Sequence, residues 1–128
     1  MPPAEKAVPT VVMVVDDEPQ VLDIERHILE RAGYQVLLAT SALDAIARLT
    51  EGPPLDLLIT DLDMPELGGD EMVSRIRAIR PDLKVLFVTG HADLLMETPR
   101  QWEGEAFLEK PFTEESLREA VSLLLSGQ

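Results

Sequence analysis

The chain has 128 residues, the size of one ordinary domain, and 45% of them are hydrophobic, enough for a single core. It has no cysteine and only two histidines, which excludes disulfides and thiolate metal sites and argues against a structural zinc site. A formal net charge of −13 opposes binding to nucleic acid or to an anionic membrane, and it suits a protein that gathers divalent cations. Most of that surplus acid serves solubility.

Residues 1–9 (MPPAEKAVP) lack the apolar stretch of a signal peptide and read as a flexible leader. No run approaches the ~20 apolar residues of a transmembrane helix. The expectation is a soluble, cytoplasmic chain with one domain over 10–128. Residues 10–15 (TVVMVV) are continuous and rich in β-branched side chains, as a strand covered on both faces is. Pro19 opens a helix, Val21, Ile24, Ile28 and Ala32 form its apolar face, and Gly33 closes it. Residues 34–39 (YQVLLA) are a second strand. Ser41 caps a second helix, with Asp44 as a weaker capping box; Leu43, Ile46 and Leu49 are its buried stripe, and Gly52-Pro53-Pro54 ends it.

Residues 55–60 (LDLLIT) are the third strand. A loop with Pro65 and Gly68-Gly69 leads to a third helix marked by Met72, Val73, Ile76 and Ile79 and stopped by Pro81. Residues 83–88 (LKVLFV) are the fourth strand. Leu94, Leu95 and Met96 start a helix that Pro99 ends or kinks, so the fourth helix is short or irregular, and Trp102 either packs on it or forms a partner-contact patch. Residues 106–108 are the core of a fifth strand. Thr113 caps the last helix, Glu114 and Glu115 favour its positive end, and Leu117, Val121 and Leu124 face inward.

Five βα units in so short a chain predict an α/β fold: a flavodoxin-like, doubly wound, five-stranded parallel sheet in the order 2-1-3-4-5, with helices on both faces. Ligands in such sheets sit beyond the C-terminal strand ends, where the order reverses between strands one and three. The residues there are Asp16-Asp17-Glu18, Asp61-Leu62-Asp63, Thr89-Gly90 and Glu109-Lys110-Pro111. Clustered carboxylates repel one another, and a cation among them keeps all ionised. Oxygen-only ligands select a hard ion, and Mg²⁺ is the usual one beside phosphate. A carboxylate is a nucleophile toward phosphorus, and the charge on the transferred group needs stabilising. Lys110 offers a point positive charge, Thr89 a hydroxyl and Gly90 an approachable N–H. Each residue has an ordinary alternative: Lys110 as a surface ion-pair partner, Thr89 as a helix cap, Gly68-Gly69 as a turn. The argument rests on four separate strand ends supplying the types that one chemistry needs.

The segments VVDDEP (14–19), TDLDMPELGG (60–69), VTGHA (88–92) and FLEKPF (107–112) resemble, in order, those of response regulator receiver domains of two-component systems. The resemblance spans about residues 10–126. It implies that Asp61 accepts a phosphoryl group from a histidine kinase or phosphotransfer protein. Asp16 and Asp17 then hold Mg²⁺ (or Mn²⁺) together with Asp61 and the Asp63 backbone carbonyl. Thr89, Gly90 and Lys110 bind the phosphoryl group, and the bond before Pro111 is cis. Phe107 is the aromatic that turns inward as Thr89 is drawn to the phosphate. Asp63 and His91 flank the path of a hydrolytic water and tune phosphoryl lifetime, with a solvated surface histidine the ordinary alternative for His91. His27 reads as structural or exposed.

Such a chain catalyses only its own phosphorylation and slow dephosphorylation, and it signals to a protein partner as a monomer or weak dimer. It is either a stand-alone regulator or a receiver taken from a hybrid kinase. Two other classes compete. Asp61-x-Asp63 resembles the DxD motif of haloacid-dehalogenase-like phosphatases, which place it after their first strand in a longer chain. A pseudo-receiver binds partners without phosphorylation, and the acid triad with Lys110 argues against it.

Overall fold

The runs of Val, Leu and Ile form five short parallel strands: β1 (Val11–Val15), β2 (Gln35–Ala39), β3 (Leu57–Asp61), β4 (Lys84–Thr89) and β5 (Glu105–Glu109). They pair in the order β2-β1-β3-β4-β5, with β1 beside both β2 and β3, so the order reverses between β1 and β3 as anticipated. This computed structural model describes residues 10–51, 54–62, 64–90 and 105–126. The expected leader, the turn at Gly52-Pro53, Asp63, His91 and the segment holding the irregular fourth helix and Trp102 lie outside the described residues.

Four described helices cover the sheet: α1 (Pro19–Arg31), α2 (Ala42–Glu51), α3 (Gly69–Ile79) and α4 (Glu114–Leu125). Strand alternation divides the core in two. Met13, Val15, Leu58, Val85 and Phe87 pack with residues of α2 and α3. Val12, Val14, Leu57, Ile59, Leu86 and Val88 pack with residues of α1 and α4. The central strands β1 and β3 are buried along their length, while β2 and β5, at the edges, keep part of their surface in water.

The helix ends follow local chemistry. Pro19 occupies the first turn of α1, and Gly33 beyond its end takes φ +100°, a conformation glycine adopts without strain. Ser41 Oγ accepts from the Asp44 N–H at 3.1 Å, while the Asp44 carboxylate turns back to the Thr40 N–H rather than to Ser41. Thr113 and Ser116 satisfy each other's backbone N–H in a complete capping box.

Three helix faces differ from expectation. On α1 the inward residues are Leu22, Glu25, Ile28 and Leu29, whereas Ile24 is 54% exposed. On α2 the small Ala42 and Ala45 are buried with Leu49, and Leu43 points outward. On α3 Ile79 is exposed. Apolar side chains exceed the buried positions on these helices, so periodicity alone admits more than one rotation. Close approach of helix to sheet selects the alanine face of α2, and insertion of Leu22 and Leu29 selects that of α1.

Candidate functional site

The alternation that builds the core also aims the site. Val12 and Val14 face α1 and α4, and Asp16 is the next residue in that series, held at the strand end by its N–H to the Ala39 carbonyl at 3.2 Å. Leu57 and Ile59 face the same way, and Asp61 follows them as the last residue of β3. On the far edge, the Lys110 N–H donates to the Thr89 carbonyl at 2.8 Å, which carries the β4–β5 pairing one residue further. The Lys110–Pro111 peptide bond is cis. Lys110 Nζ reaches Asp61 Oδ2 at 3.1 Å and Asp16 Oδ2 at 3.3 Å.

Asp16 and Asp61 are buried and Asp17 is exposed, yet carboxylate oxygens of all three lie within 4.8 Å of one another. The turn after β1 is braced by the Glu18 N–H donating to Asp16 Oδ1 at 2.9 Å. The turn after β3 is braced by α3. The Gly69 N–H donates to the Leu62 carbonyl at 2.9 Å, and a β-carbon at Gly69 would collide with the Asp61 backbone carbonyl. Only glycine lets α3 start so close to that carboxylate's backbone.

Thr89 is fully buried at the end of β4, and Gly90 follows it with, among the described residues, only the Lys110 β-carbon at 4.0 Å from where its own would be. Phe107 stands apart from the acid cluster. The residue is 40% exposed, and its ring stacks on the buried Phe87 with centroids 5.6 Å apart and planes 16° from parallel. His27, on α1, is exposed, with Nδ1 3.0 Å from the Asp23 carbonyl oxygen.

Burial and charge act together on Asp16 and Lys110. Burial pushes the Asp16 carboxyl above its usual range, with the Asp61 charge adding to it; the Glu18 N–H and Lys110 oppose the rise. For Lys110 burial acts downward, but the hydrogen bond to Asp61 and the attraction of both aspartates outweigh it and raise the ammonium above its ordinary value. A hard divalent cation fits this donor set. The ligands are all oxygen, the charge to be neutralised is that of three acids against one ammonium, and exposed Asp17 leaves one side open to water and phosphate oxygens.

The chemistry-bearing residue not singled out in the sequence is Glu25. It is 1% exposed on the inward face of α1, among Leu22, Ile28 and Leu29. Burial raises its pKa to about 8, with Asp16 the next contributor. The signal was an acid in the Leu22–Leu29 row, hidden because Val21 and Ile24 offered a rival stripe.

A sequence model described as the response regulator receiver domain matches residues 12–122. The response regulator receiver protein CpdR of Brucella abortus is 41% identical over 85 residues, covering 66% of this chain and 70% of that protein. The crystal structure of a receiver domain protein from Clostridium thermocellum superposes with a TM-score of 0.79 at 32% identity, covering 91% of this chain and 94% of that one. Response regulator TrrA of Thermotoga maritima, crystallised in complex with Mg(2+)-BeF, gives a TM-score of 0.82 at 28% identity, covering 91% and 99%. The chain also matches longer proteins, spanning 13% of a sensor kinase and 26% of a transcriptional regulator.

Proposed function

This chain belongs to the response regulator receiver domain family, and from that premise we propose that it is a phosphorelay switch whose Asp61 takes a phosphoryl group from a phosphohistidine. The observation that carries this reading is Asp61 at the switch point of the sheet, within 4.8 Å of two further carboxylates and 3.1 Å from the Lys110 ammonium. Residues 10–128 form the receiver and residues 1–9 a leader. The working compartment is the cytoplasm; among the described residues no helix is long and apolar enough to cross a membrane.

In the transfer, an Asp61 carboxylate oxygen gives an electron pair to phosphorus as the P–N bond to the donor imidazole breaks. The departing nitrogen keeps that bond's electrons. Asp16, Asp17 and Asp61, with the Asp63 carbonyl, would hold Mg²⁺ (or Mn²⁺), which when bound supplies positive charge against the phosphoryl oxygens. Lys110 exchanges its contact with Asp61 for one with a phosphoryl oxygen, so its charge stays in the site. Thr89 and Gly90 offer a hydroxyl and an N–H to the same group. Phe107, outward on Phe87 in this state, turns inward as Thr89 moves, and the altered β4–β5 surface is read by a partner protein. As phenylalanine it makes that turn without a hydroxyl hydrogen bond. Asp63 and His91 tune the lifetime of the adduct.

Incubation with a small phosphodonor and Mg²⁺, followed by intact-protein mass spectrometry, tests this. A persistent adduct that Asp61→Asn abolishes, with the melting temperature retained, is the expected outcome. Rapid multiple turnover would make the chain a hydrolase instead. No adduct in the wild type would make it a phosphorylation-free interaction module, and uptake by Asp61→Asn at the wild-type rate would overturn the assignment of Asp61.

A further inference from the structure

Thr60 is the one polar side chain of β3 ahead of Asp61, and it is fully buried. By strand alternation it lies with Leu58 on the α2 and α3 side of the sheet, the side opposite to the Asp61 carboxylate. Its register partners are Val15 on β1 and Phe87 on β4, both core residues of that side. Filling space there asks only for a β-branched apolar side chain, and valine has the shape of threonine. Burying a hydroxyl is unfavourable unless it finds a partner, so the position is explained by what the hydroxyl touches. Thr60 Oγ1 lies 3.0 Å from the Asp61 carbonyl oxygen, and because a carbonyl only accepts, the hydroxyl donates.

The same carbonyl is confined from α3. A β-carbon at Gly69 would collide with it, and the Gly69 N–H donates to the next carbonyl, that of Leu62, at 2.9 Å. The Thr60 hydroxyl and the start of α3 thus hold the peptide plane that joins Asp61 to Leu62. We infer that Thr60 is a positioning residue for the nucleophile: from the far face of the sheet it fixes the Asp61 backbone, so that the carboxylate stays aimed at the side where Lys110 and Asp16 stand. This rests on the phosphorelay reading of the same site. Asp61 exchanges its 3.1 Å contact with Lys110 for a bond to phosphorus, and the attacking oxygen must then lie in line with the departing nitrogen. A backbone held from behind keeps that line while the carboxylate changes partners. Buried on the opposite face, Thr60 itself does not meet the phosphoryl group.

The test separates the hydroxyl from the methyl. Thr60→Val keeps the shape and deletes the donor; Thr60→Ser keeps the donor and deletes the methyl. Wild type and both variants are incubated with saturating Mg²⁺ and a concentration series of acetyl phosphate, adduct formation is followed by intact-protein mass spectrometry, and melting is measured in parallel. Thr60→Val should lower the maximal rate of uptake about tenfold, with half-saturation by acetyl phosphate held within a few-fold. Thr60→Ser should keep the wild-type rate although its small cavity makes it melt lower than Thr60→Val. Stability and uptake then rank the two variants in opposite orders. Uptake that follows the melting order, or that is equal in wild type and Thr60→Val, overturns the proposal. The Asp61 carbonyl ¹³C resonance gives a second reading that needs no phosphodonor. It should move upfield in Thr60→Val and stay near its wild-type position in Thr60→Ser, and a resonance unmoved in Thr60→Val overturns the proposal. Lack of uptake by the wild type would overturn the phosphorelay reading, and the carbonyl resonance would still decide whether Thr60 holds Asp61.

Discussion

Replacing Glu25 by leucine should make the protein more stable, by an amount that depends on pH in a defined direction. The carboxyl has a folded-state pKa of about 8 against 4.5 when free, so between those values the folded chain holds a proton that the unfolded chain has released. Stability then falls as pH rises, because the native state binds more protons. At pH 7 the gap of about 2.5 pH units, at about 1.4 kcal/mol per unit, amounts to about 3 kcal/mol that Glu25→Leu recovers. Asp16, Asp61 and Lys110 are common to both proteins, so most of their own titration cancels in the difference. Urea denaturation in chelator from pH 4 to pH 9 measures it. The two curves should run parallel near pH 4, diverge by up to about 1.4 kcal/mol per pH unit, and run parallel again above pH 8. A difference independent of pH, or a leucine variant less stable at pH 7, would refute the argument.

Millimolar Mg²⁺ should raise the melting temperature of the wild type, since a cation bound only by the folded triad adds about 2.7 kcal/mol at a hundredfold excess over Kd. Asp17→Asn should blunt the rise, and melting curves indifferent to Mg²⁺ would count against the cation site. Gly69→Ala forces a β-carbon into the Asp61 carbonyl and should cost about 1–3 kcal/mol in urea denaturation, with slowed phosphodonor uptake. Arg77→Ala strips Glu105, whose side chain is 2% exposed, of a guanidinium at 2.9 Å, and the Leu83 carbonyl of a donor at 2.8 Å. A loss of about 3–5 kcal/mol follows for a broken buried pair, and a loss below 1 kcal/mol would show that β5 does not depend on this tie to α3.

The strand-end residues were legible because their assignment depends only on where an apolar run stops. The apolar runs TVVMVV and LLIT give way to Asp16-Asp17 and Asp61, carboxylates that need a partner wherever they are buried. The capping residues Thr113 and Ser41 were legible for a related reason, since their bonds close within three residues. The rotations of α1 and α2 were not. Val21 and Ile24 compete with Leu22 and Leu29 for the inward face of α1, and the choice is made by the fit of that helix on Val12, Val14, Leu57 and Ile59.

By itself, then, the order of residues indicated the five parallel strands, their reversal between β1 and β3, and the identity of Asp16, Asp17, Asp61, Thr89 and Lys110 at one edge, because hydrophobic runs and right-handed crossovers leave few arrangements. Tertiary structure alone decided that Lys110 bridges Asp61 and Asp16, that Phe107 lies outward on Phe87, and that Glu25 rather than Ile24 is buried. Those are distances between elements remote in sequence, and they are set by packing between the helices and the sheet, which no local pattern encodes.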